Sequence, residues 1–115
     1  MIVSFAWTAP AFIADRKSVT RREWSFDYAQ HFIPGTVHKA YSKQPRFGGK
    51  PIGLLEVLCI SYENIQDMAD EDFEYEGFKY MEEQGLKIWR KEPRVAFDDW
   101  RAAEAYYWVL RFEKI

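Results

Sequence analysis

The sequence predicts an α+β domain that is mainly β, a small closed or nearly closed barrel of about five or six strands with two or three short helices on its ends. Three observations carry this expectation. Short β-branched and aromatic runs recur along the chain, separated by turn residues. Only residues 67–84 are patterned for a helix of any length. The 115 residues suit one domain, 1–115, with no internal repeat, low-complexity tract or interior linker.

Residues 2–7 are apolar and rich in strand formers, so they read as the first strand. Thr8 and Pro10 then open a helical turn, since Thr caps and Pro suits an early helical position. Residues 18–24 alternate and read as extended, with Ser18, Thr20 and Arg22 on one face and Val19, Arg21 and Glu23 on the other. A short helix follows at 28–32, then the turn Pro34-Gly35 and a strand at 37–42. Residues 44–51, dense in Gly and Pro, form a loop. The most apolar run, 52–60, is a central strand, and Cys59 within it reads as a small buried hydrophobe. Residues 67–84 read as one helix, with acids in the first turns complementing the macrodipole and Gly85 as its stop. A further short helix starts near Asp98, with Phe97 before it as a staple. Residues 106–112 alternate and make the closing strand.

Composition narrows the function classes. Hydrophobic residues make up 48% and charged residues 30%, too rich in apolar side chains for a disordered chain. No apolar run reaches the ~18 residues of a membrane span, and the first residues do not read as a secretory signal. The single Cys59 fits a reducing, cytoplasmic setting without a disulfide. Net charge is −2, so the chain as a whole is not a basic nucleic-acid module. The halves differ, however. Residues 1–55 hold 8 Lys/Arg against 3 Asp/Glu, and residues 56–115 hold 8 against 15. Two histidines and one cysteine, with no HExxH or CxxC, point to no metal site, and the absence of GxGxxG and GxxxxGK[ST] points to no dinucleotide or P-loop cofactor.

What stands out is Arg16-Lys17-Ser18-Val19-Thr20-Arg21-Arg22-Glu23-Trp24, with four cations, two hydroxyls and a Trp in nine residues. Arg clamps phosphate or carbonyl oxygens in bidentate fashion. Trp24 suits either a stacked base or a core anchor. Lys17 precedes the strand and differs in parity from Thr20. The two share a site only if Lys17 lies in the turn before the strand or at a bulge.

Lys17-Ser18-Val19-Thr20-Arg21-Arg22 followed by Trp24 resembles the K-T-x-T-x-R signature of the ASCH domain family. Pro34-Gly35, Gly53-Leu54-Leu55-Glu56-Val57, Glu76-Gly77-Phe78 and the run 107–112 resemble, in order, that family's Gly-turn, G-x-x-x-V strand, E-G-F helix and closing strand. The likeness covers nearly the whole chain. It implies a PUA-like β-barrel with a cleft lined by Lys17, Thr20, Arg22 and Glu76, binding RNA or a modified nucleobase or nucleoside. Arg21, Arg22, Trp24 and Ser18 are the implied ligand contacts. One bacterial branch of the family hydrolyses acetylated cytidine, which implies Lys17, Thr20 and Glu76 as an alternative catalytic set with Thr20 as nucleophile. This chain departs from that branch at Ser18, where Thr is usual, at Arg21 and Trp24, and in its Gly/Pro-rich middle loop, all of which bear on the substrate more than on the cleft. A Thr hydroxyl needs a proton acceptor. Lys17 suits that role only if burial and its neighbouring arginines outweigh Glu76, which holds it charged. A third reading takes the acidic segment 67–83 as a face for a protein partner.

Overall fold

A computed structural model describes residues 1–115. Its frame is one five-stranded mixed sheet in the order β1-β3-β4-β5-β2, formed by β1 (Ile2–Ser4), β2 (Val19–Arg22), β3 (Val37–Tyr41), β4 (Pro51–Asn64) and β5 (Tyr106–Lys114). β1 runs parallel to β3, and the other three pairings are antiparallel. Five α-helices surround it: α1 (Ala9–Ile13), α2 (Phe26–Ala29), α3 (Asp72–Tyr75), α4 (Phe78–Glu83) and α5 (Pro93–Ala102), with three 3-10 turns. No helix is long and apolar enough to cross a membrane.

The sheet is not closed into a barrel, and there are more helices than expected. β1 and β2 are its two edges, only three and four residues long. They approach without forming a ladder. The long Arg22 side chain of β2 reaches across and donates from Nη2 to the Ser4 carbonyl of β1 at 2.6 Å. The result is a seam stapled by a side chain instead of by backbone pairing.

Each face of the sheet supports its own core. On one face, Leu110 and Phe112 of β5 join Val3, Phe5, Phe12, Phe32, Leu55 and Val57, all buried. The Phe5, Phe12 and Phe112 rings lie 4.8 to 6.0 Å apart. On the other, the helices build a second cluster around Ile65, Phe73, Phe78, Ile88 and Phe97. The alternation of β5 serves both: Leu110 goes to the first core, while Tyr107 packs on Trp100 of the second.

Several local expectations change. The first strand ends at Ser4, because Ala6 takes a left-handed φ of 50° and starts a 3-10 turn. Cys59 is exposed. The β4–β5 register shifts between Val57 and Cys59, so the inward set moves from Leu55 and Val57 to Ile60 and turns Cys59 outward. The last helix begins at Pro93 in its first turn, which leaves Phe97 fully buried in mid-helix and not a staple.

The largest change is in residues 67–84. They do not make one helix. The chain breaks between α3 and α4 at Gly77, whose φ is 92°. A Cβ there would sit 2.6 Å from the Ala11 Cβ and 3.4 Å from the Lys17 Cβ. Glycine is thus required twice, by backbone handedness and by the close approach of α1 and the Lys17 segment. The break frees the Glu76 carbonyl from a helical partner and aims it at Lys17.

Candidate functional site: a charged seam between the sheet edges

Lys17 lies in the irregular chain just before β2. Its ammonium donates to Glu76 O at 2.7 Å and to Glu76 Oε1 at 3.0 Å. Arg21 reaches the same carboxylate, donating from Nη1 to Oε2 at 2.9 Å, and also donates from Nη2 to Asp72 Oδ2 at 2.6 Å. Arg111 of β5 closes the chain on both Asp72 oxygens at 3.1 and 3.3 Å. Lys17, Arg21, Asp72 and Glu76 are all at most 4% exposed. Two carboxylates therefore face three cations in a nearly dry network, and each charge is paired as burial demands.

Burial pushes the Lys17 ammonium down to about 8, against the pull of Glu76 and with help from Arg22 and Arg21. Burial thus outweighs the carboxylate. Desolvation also pulls Arg22 downward, opposed by Glu76, but a guanidinium keeps its proton at any physiological pH.

Arg22 differs from its neighbours. Its two hydrogen bonds go to backbone carbonyls, Arg21 O at 3.0 Å and Ser4 O at 2.6 Å. It has no carboxylate partner, and a guanidinium carries five N–H donors. Both it and Lys17 lie over the Phe5 ring, at 5.9 and 5.5 Å from its centre.

A cavity of about 250 Å³ opens on this group, lined by Lys17, Arg21, Arg22 and Glu76 together with Phe5, Trp7, Trp89 and Trp100. Trp7 and Trp89 remain 44% and 41% exposed at its wall. Trp89 stands edge-on to Trp100 at 5.5 Å, which in turn stacks on Phe78. Ala6 and Trp89, both in the wall, hold left-handed φ values of 50°. Such strain in non-glycine residues concentrates at ligand sites.

Of the residues singled out in the sequence, Lys17, Arg21, Arg22 and Glu76 converge here. Thr20 does not. It is fully buried, pairs with Leu110 across β2–β5, and its hydroxyl has no hydrogen-bond partner. Lys17 does precede the strand, but its tip joins Arg21 on Glu76, and Thr20 is absent from the cavity wall. Ser18 is exposed and outside the wall, and its backbone ties Tyr75 to Phe112. Trp24 stacks on Phe32 at 4.4 Å and lines a second cavity on the other side of Arg22. Asp72, Arg111 and the aromatic wall escaped the sequence reading. Asp72 was hidden among helix-start acids and Arg111 in an apolar strand, and only the fold brings them together. No group of three or more His, Cys, Asp or Glu side chains is placed to hold a metal ion.

No family model matches this chain, and no curated protein does. Among solved structures, it is similar to the crystal structure of protein EF3133 from Enterococcus faecalis, of family model DUF984. The TM-score is 0.59 at 11% identity, over 96% of this chain and 71% of that one. At that identity the likeness is one of fold, and it extends to the small α+β architecture.

Proposed function

We propose that the protein binds a nucleobase or nucleoside, free or within single-stranded RNA, in the cavity over Lys17, Arg22 and Glu76. The observation that carries this reading is the pairing of an aromatic wall with Arg22, whose remaining donors have no protein partner. Bases stack on Trp at about 1–3 kcal/mol each, and Arg and Lys donate to base carbonyls or phosphate oxygens. The resemblance of residues 17–24 to the ASCH signature points the same way. Titration of nucleosides and short single-stranded RNA at low salt, followed by Trp fluorescence, tests it. Saturable quenching whose affinity weakens about fivefold or more in Trp89→Ala is expected, as the stacking range implies. Absence of binding by every nucleoside and oligonucleotide contradicts it.

A second reading is hydrolysis of an N-acylated cytidine with Thr20 as nucleophile. The lowered Lys17 ammonium favours it, since a lysine near neutrality can accept a proton. The buried, unpartnered Thr20 hydroxyl does not. Incubation with N4-acetylcytidine, read by the ultraviolet change on deacylation, separates the two: turnover lost in Thr20→Val supports hydrolysis, and no turnover leaves binding alone.

A further inference from the structure

Arg22 stands at a waist. On one side lies the cavity already described. On the other lies a second of about 390 Å³, bounded by Ile2, Val3, Trp24, Ser25, Tyr28 and Gln44. Ser4 and Arg22 belong to both walls, and they are hydrogen-bonded to each other. The first chamber falls short of the ~300–1,000 Å³ usual for a small-molecule site and the second sits at its low end. Both linings combine Trp with polar side chains. Tyr28 is held in place by donating to Ile2 O at 2.8 Å, and Trp24 by packing against Tyr28 and Phe32.

The cation between them is unusual in this molecule. Arg21 and Arg111 are matched to carboxylates, whereas Arg22 is half-buried with only carbonyl partners. Two of its five donors are used, leaving three without a protein partner in a side chain that lines both cavities. A planar guanidinium so placed fits two oxygens of one phosphate. From the geometry we infer that the ligand is a dinucleotide step of single-stranded nucleic acid, with its phosphodiester on Arg22 and one splayed base in each chamber. This rests on the nucleobase-binding reading above and adds a second base subsite at Trp24 and Tyr28. Unpaired RNA lends itself to such splaying, because its bases unstack and turn outward onto aromatic side chains.

The test compares cytidine, cytidylyl-cytidine and the same dinucleoside with an uncharged methylphosphonate linkage, by calorimetry at two salt concentrations. The phosphodiester is expected to bind at least about fivefold more tightly than cytidine, since its second stacked base adds about 1–3 kcal/mol. Its log-affinity should fall with log salt at a slope near −0.7, as for a single phosphate contact. The methylphosphonate should lose that slope and much of the gain. In the protein, Trp24→Leu should weaken the dinucleotide by about fivefold or more while leaving its salt slope, which belongs to Arg22, and should weaken cytidine by less. Circular dichroism confirms that the variant is folded, and the methylphosphonate arm needs no variant at all. Equal affinity for cytidine and the dinucleotide, or equal affinity for charged and uncharged linkages, overturns the two-chamber inference alone. Failure of all three ligands to bind overturns the nucleobase reading with it.

Discussion

Arg16 and Lys17 are neighbours in sequence, and both reach acids of the same helical segment, yet they live in different media. Arg16 holds Glu74 and Glu83 at 2.9 Å in side-chain pairs a third or more exposed to water. Lys17 holds Glu76 at 3.0 Å in a pair with at most 3% of either side chain exposed. The distances are nearly equal, so geometry does not separate them. Solvent does. Water screens the Arg16 pairs and offers each partner a replacement, which makes surface bridges weak. Lys17 and Glu76 have no such replacement, and losing one strands the other. The cost of desolvation is also what lowers the Lys17 ammonium to about 8.

Four substitutions or titrations sharpen this contrast, from the largest effect downward. Glu76→Ala leaves Lys17 and Arg21 buried with their shared carboxylate gone, and should destabilise the fold by about 3–5 kcal/mol in urea unfolding. A loss under about 1 kcal/mol, the range of an exposed pair, would put the network on the same footing as the surface. Gly77→Ala keeps every charge but forces a Cβ against Ala11 at 2.6 Å. It should cost about 1–3 kcal/mol from the left-handed backbone alone, and spread the Lys17–Glu76 pair. An unchanged unfolding midpoint would show that the break between α3 and α4 is incidental.

The third concerns pH. Lys17 ionises near 8 in the folded chain and near 10.5 when unfolded. Between these values the unfolded chain binds the extra proton, so this residue's contribution to stability rises with pH across that window and is flat below it. The stability difference between wild type and Lys17→Met should therefore move in favour of wild type from pH 8 to 10.5. Ligand affinity should move the other way, falling as the ammonium is lost. A flat difference across the window would place the Lys17 pKa at its ordinary value. The smallest effect belongs to Arg16→Ala, which should leave the unfolding midpoint within measurement error at physiological salt. A large loss there would erase the distinction between the two neighbours.

Much of the molecule was legible along the chain for a local reason. The strand at 37–42 and the closing strand at 106–112 alternate cleanly, and they appear as Val37–Tyr41 and Tyr106–Lys114. Lys17, Arg22 and Glu76 stood out by residue type and motif, and they line one cavity. What escaped depends on contacts between distant residues. Whether two edges close into a barrel is set by how β1 and β2 meet, and there the contact is a side-chain bond from Arg22 to Ser4 O without backbone pairing. The bulge after Val57 that exposes Cys59 has no residue signature. Gly77 did carry a signal, since glycine inside a helical pattern costs about 1 kcal/mol relative to Ala, but its reason lies in Ala11, on another helix. Thr20 shows the limit most clearly: strand parity placed it with Arg22, and the register with Leu110 seals it in the core.

The central claim is that the seam around Arg22 is the ligand site. Four of the five Trp residues, Trp7, Trp24, Trp89 and Trp100, line it and report on it through their indole N–H signals in a nitrogen–proton correlation spectrum. Trp7 and Trp89 line the first chamber and Trp24 the second, while Trp108, half-buried and tilted against Tyr62, lines neither. On titration with a short single-stranded RNA, the signals of Trp7, Trp89 and Trp24 are predicted to move together and by more than that of Trp108, which lies across the β2–β5 ladder from Arg22. Movement confined to Trp108, with the three seam signals still, would contradict the account.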